Sequence, residues 1–107
     1  MLKPIKVERK ILEKDVEAYL VRQVKKLGGR CLKWSSMNNV GVPDRVVILP
    51  GGVIWFIEVK RDNKSYLSKH QKLFFDSMAE LGVTNCCVLH GKSEVDIFIN
   101  AATWGIR

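Results

Sequence analysis

No stretch of this chain approaches the roughly 20 consecutive apolar residues of a membrane-spanning helix. The opening segment, MLKPIKVERK, is charged and lacks the apolar stretch of a signal peptide, so a secretory leader is not expected there. Cysteine is scarce, with three residues. Cys86 and Cys87 are adjacent, Cys31 stands alone, and neither C-x-x-C nor any Cys/His ligand spacing occurs, which argues against zinc. These thiols are expected to be small buried apolar residues of a protein in a reducing cytoplasm. The two histidines, His70 and His90, have no acid, Ser or Cys neighbour that completes a triad, so nucleophilic catalysis has little support. Acid is also short. Eleven acidic residues face 18 basic ones, for a net charge of +7, and that excess favours a polyanionic partner, most simply nucleic acid. Several acids fall on faces expected to be buried, which would make the surface more basic still. Repeats, low-complexity tracts and linkers are absent. The 107 residues, 47% hydrophobic, should form a single domain, 1–107, around one core.

What is present is a clear succession of elements. Leu12, Val16, Tyr19, Leu20, Val24 and Leu27 recur at helical spacing and predict a helix over Glu13–Leu27, stopped by Gly28-Gly29. Arg30–Ser35 alternates as a strand, and 36–43 is a polar loop. Asp44–Leu49 and Val53–Lys60 are β-branched and aromatic, with Pro50-Gly51-Gly52 between them, and read as a hairpin. A second helix is predicted over Lys69–Leu81, with Ser68 and Gln71 as an S-x-x-Q capping box and Gly82 as its stop. Asn85–His90 is a short apolar strand. Ser93 opens a last helix that carries Val95, Ile97, Phe98 and Ile99. The order is α-β-β-β-α-β-α. The hairpin strands are apolar on both faces, as in a sheet covered on both sides. The expected fold is α/β, a four-stranded mixed sheet flanked by helices, with a right-handed helical crossover making the last two strands parallel.

The hairpin carries the chemistry. Residues whose numbers sum to about 102 should face each other, which sets Asp44 opposite Glu58. Two carboxylates opposed across a ladder repel unless something positive lies between them, and a hard divalent cation is the natural candidate. Alternation puts Lys60 on the same face as Glu58. On the first helix, Glu13 falls inside the apolar stripe, at about 100° from Leu12, and Glu17 lies at its edge near about 140°. An acid on a buried face needs a partner, so Glu13 is expected to point at the same cluster. Glu17 is the alternative third acid, or else a solvated i,i+4 partner on the helix rim. Gln71 lies on the inner stripe of the second helix, where capping and a site role compete. Arg61, Lys64, Lys69 and Lys72 gather around that helix start and form a candidate surface for a DNA backbone.

Together, Gly41-Val42-Pro43-Asp44, the turn, Glu58-Val59-Lys60 and Gln71 resemble the signature of the PD-(D/E)xK nucleases. More closely, they resemble the virus-type replication-repair nuclease (VRR-NUC) family, which also shares the helical Glu13-x3-Glu17 acids. The resemblance runs from about Glu13 to His90. It implies a restriction-endonuclease-like core and a divalent-metal-dependent endodeoxyribonuclease. Asp44, Glu58 and Glu13, with the Val59 carbonyl, would hold Mg²⁺ or Mn²⁺. Lys60 would orient or deprotonate the attacking water, and Gln71 would orient water or phosphate. Stand-alone members of the family look like homodimers acting on branched DNA such as Holliday junctions, in phage replication, recombination or repair. The segment 101–106 is apolar enough to serve a dimer, or to end the last helix against its own sheet. A DNA-binding subunit without catalysis, and a restriction-type nuclease on plain duplex, are the alternatives.

Overall fold

The computed structural model describes residues 10–38 and 40–104. Helix α1 spans Glu13–Lys26. Strand β1 spans Arg30–Lys33, β2 Arg45–Leu49 and β3 Val53–Lys60. Helix α2 covers Lys69–Glu80, strand β4 Cys86–His90 and helix α3 Gly91–Trp104. The sheet order is β1-β2-β3-β4. The first two pairings are antiparallel and β3–β4 is parallel, as the helical crossover requires.

The β2–β3 register runs from Leu49↔Val53 to Arg45↔Ile57, the alignment predicted from the turn. Its extension brings Asp44 level with Glu58. Arg30–Lys33 forms a shorter strand than the predicted Arg30–Ser35, although Trp34 N still donates to the Asp44 carbonyl (2.9 Å). The Trp34 ring then packs on Phe56 and Phe74, with centroids 5.4 and 5.6 Å away. Helix α3 starts two residues before the predicted Ser93. Gly91, at φ +80°, turns the chain directly from β4 into the helix, and the Glu94 carboxylate accepts from His90 N (2.8 Å).

The core lies on one face of the sheet. Val16, Leu20 and Val24 of α1 and Val95 and Phe98 of α3 pack on Val47, Leu49, Ile57, Val59 and Leu89. Burying each such side chain contributes about 1.5–3 kcal/mol. The opposite face departs from expectation, because α2 covers only part of it. That helix has no fully buried residue, and Leu32 and Ile54 on the same face stay 44% and 45% exposed. Ala102 joins the core, so the 101–104 part of the apolar tail continues α3 on its own sheet. Residues 105–106 lie outside the described residues. No helix among the described residues is long and apolar enough to cross a membrane.

Candidate active site

Four side chains converge where β3 ends beneath the start of α2. Glu58 is 1% exposed and is the only charged side chain among the described residues that is fully buried, so the other acids expected on buried faces are not submerged. Its Oε2 accepts from Gln71 Nε2 (2.9 Å) and lies 3.7 Å from Lys60 Nζ. Its Oε1 is buried without a hydrogen-bond partner. A lone buried carboxylate oxygen is costly. Burial, then the charge of Asp44, pushes the Glu58 carboxyl up to about 8, and Lys60 pulls it back in part. Asp44 is held by its own Oδ2, which accepts from Val59 N (3.1 Å).

Gln71 unites the two roles that compete in the sequence. Its Oε1 accepts from Ser68 N (2.8 Å) and closes the capping box of α2. The same oxygen accepts from Lys60 Nζ (3.1 Å), while the amide nitrogen holds Glu58. Gly41 brings the loop before β2 against this helix start. Its φ is +92°, and a Cβ there would lie 2.5 Å from the His70 carbonyl carbon and oxygen.

The helical acids separate. Glu13 has the expected direction but not the expected depth. It is exposed, on the first turn, where α1 projects past the core. Its carboxyl is nevertheless raised, first by partial burial, and it feels Lys60, Asp44, Glu17 and Arg61. It therefore lies at the rim of the cluster. Glu17 is not a solvated rim residue. Its Oε1 pairs with Arg45 Nε at 2.7 Å, which commits it to fastening α1 to β2. Arg45 escapes a linear reading because its partner is 28 residues away. Its guanidinium also reaches the Cys31 carbonyl (3.4 Å).

No three His, Cys, Asp or Glu side chains among the described residues are gathered closely enough to enclose a metal ion. The Asp44–Glu58 pair with its orphan oxygen nevertheless fits a small hard cation, which takes one or two carboxylates and leaves its other positions to water and phosphate. Lys64, Lys69 and Lys72 are exposed around the α2 start, and Arg61 lies 3.4 Å from Asp62. A cavity of about 460 Å³ opens between Arg61, Asp62, His90 and Lys92. His90 pairs with an acid at i,i+4 spacing, its Nδ1 lying 3.1 Å from Glu94 Oε1. The three cysteines are free. Burial raises Cys31 and Cys86 to about 11 and Cys87 to about 12, so they are poor nucleophiles.

No protein-family model matches the chain. A protein of Acyrthosiphon pisum secondary endosymbiont phage 1, named "Putative nuclease p44", is 41% identical over 70 residues, which cover 62% of this chain and 75% of that protein. A solved structure described as a VRR-NUC domain superposes with a TM-score of 0.77 at 36% identity, covering 82% of this chain and 94% of the other. Shared sequence, shared fold and a buried Glu58 set with half-buried Asp44 beside a lysine lead to one assignment: this chain belongs to the VRR-NUC family of nuclease domains.

Proposed function

We propose that the protein is a divalent-metal-dependent endonuclease that hydrolyses DNA phosphodiester bonds and prefers branched DNA, including four-way junctions, during phage replication, recombination or repair. The observation that carries this reading is the buried Glu58 carboxylate, whose Oε1 receives no donor and whose pKa is raised by burial and then by the facing Asp44 carboxyl, with Lys60 Nζ 3.7 Å from its Oε2. Asp44 and Glu58, with the Val59 carbonyl and Glu13 from the rim, would hold Mg²⁺ or Mn²⁺. Bound there, the ion supplies Lewis-acid polarisation of the phosphate and lowers the pKa of water.

The chain's own groups do the rest. Gln71 holds Glu58 and Lys60 in fixed relation, so neither has to reorganise when the substrate arrives. Lys60 presents its ammonium to the attacking water and offsets the charge that builds on the phosphoryl oxygens. Exposed Lys64, Lys69 and Lys72, with Arg61, receive the flanking backbone, which positions the strand without reading sequence. A homodimer would set two such sites against opposed strands of one junction.

The test is cleavage of a labelled four-way junction beside a matching linear duplex, in Mg²⁺, Mn²⁺ or EDTA, by wild type and Glu58→Ala. Metal-dependent cutting that favours the junction and disappears in the variant is expected. Equal cutting of both substrates would leave a plain-duplex nuclease. Binding of both with no cutting in either metal would leave a DNA-binding subunit.

A further inference from the structure

Tyr66 is 82% exposed, and among the described residues its ring makes no aromatic or cation–π contact. It lies on the loop 61–67 between β3 and α2. This loop has a definite shape. The Asp62 carboxylate accepts from Lys64 N (2.9 Å) and Ser65 Oγ (3.2 Å), and Ser65 N returns to the Asp62 carbonyl (3.3 Å). Its two ends meet at one atom: Gln71 Oε1 accepts from Lys60 Nζ at the near end and from Ser68 N at the far end. Tyr66 is two residues from Ser68, so its Cα is within about 7 Å of the Ser68 Cα. A large aromatic is thus held out in water, between exposed Lys64 and Lys69 in the sequence, on a loop whose two ends are anchored to the Gln71 amide that holds Glu58.

We propose that Tyr66 is a stacking platform for an unpaired nucleobase next to the cleaved bond, and that it supplies preference for DNA with unstacked bases. This rests on the nuclease reading above. An aromatic face between cations is the usual receptor for single-stranded nucleic acid: the cations hold the backbone, and the ring replaces the neighbour that the base has lost. In continuous duplex every base already has its neighbours, so Tyr66 has nothing to add. At a branch point, flap or single-stranded end a base is available. Because Tyr66 follows the loop that leaves Lys60, the stacked base and the phosphate at Lys60 would belong to the same short stretch of strand.

The experiment measures binding rather than cleavage. Wild type, Tyr66→Phe, Tyr66→Trp and Tyr66→Ala are titrated in EDTA against a splayed-arm DNA and a continuous duplex, with 2-aminopurine placed in turn at each unpaired position next to the branch. Tyr66→Ala should lose about 10-fold or more in affinity for the splayed arm, change little on the duplex, and abolish the quenching of one 2-aminopurine. Phe and Trp should retain both. Equal loss on both DNAs, or no loss on either, would overturn the proposal. So would quenching that persists in Tyr66→Ala. Failure of the nuclease reading would appear separately, as wild type that binds both DNAs but cuts neither in Mg²⁺ or Mn²⁺.

Discussion

At the scale of residues, Glu58 is the point of highest tension. Burial pushes its carboxyl from an ordinary 4.5 up to about 8 in the fold. Between those values the folded chain binds the proton more tightly than the unfolded chain, so stability falls as pH rises through that window. Below it both states are protonated and the penalty disappears. Glu58→Gln should therefore melt above wild type at pH 8 in EDTA, with the gap closing towards pH 4.5. For a domain of this size each kcal/mol corresponds to about 4–8 °C. Equal melting temperatures at pH 8 would mean that the buried carboxylate is not strained. The same variant should lose the rise in melting temperature that Mg²⁺ gives wild type. Lys60→Ala should lose cleavage by 100-fold or more in the terms of a missing charge-stabilising group, while DNA affinity stays within about threefold by filter binding. Unchanged cleavage would remove Lys60 from the site. Much of this was legible in the chain. A three-residue Pro-Gly-Gly turn set the register, and the register set Asp44 beside Glu58. The depth of Glu13 was not legible, because a helical wheel gives direction and says nothing about where the helix runs past the core. The Glu17–Arg45 pair was hidden because its partners come from different elements.

At the scale of elements, α2 matters most, and it is the least embedded. Its N-terminus is fixed by the Ser68–Gln71 box and by the loop at Gly41. Gly41→Ala would place a Cβ against the His70 carbonyl group at a positive φ. A destabilisation of about 1–3 kcal/mol is expected in urea unfolding, with cleavage lost as well. Gly52 offers the control, since it also has a positive φ (+80°) but nothing within 4 Å of the added carbon. If Gly41→Ala is no worse than Gly52→Ala, the close approach carries no weight. Ser68→Ala should cost about 1 kcal/mol through the lost cap. The sequence placed this helix well because its cap and stop, Ser68 and Gly82, are local signals. It placed the start of α3 at Ser93, two residues late, because a glycine is a weak helix former and Gly91 here is the turn that opens the helix.

At the scale of the whole molecule, charge and the uncovered sheet face dominate. With a net charge of +7 the protein should lose DNA affinity steeply as salt rises, with a slope in log–log form of about −0.9 per phosphate contacted. A flat dependence would argue against a backbone-held complex. Coverage of both sheet faces was expected from the apolar hairpin, yet Leu32 and Ile54 remain open on the α2 side. If the working form is the proposed homodimer and this face is part of it, Ile54→Lys should shift the protein to monomer in sedimentation velocity. A dimer that persists in the variant would place the contact elsewhere.

The single amide of Gln71 has a consequence in the fluctuations of the native state. A helix with no fully buried side chain belongs to the low end of local opening free energies. When its first turn frays, Glu58 and Lys60 lose their common partner in the same event. The site and the helix end therefore open as one unit, and the backbone hydrogens of 71–75 become a clock for it. Their exchange with deuterium should be faster than that of α1 in the free protein, and should slow once DNA occupies the cluster, before any bond is cut.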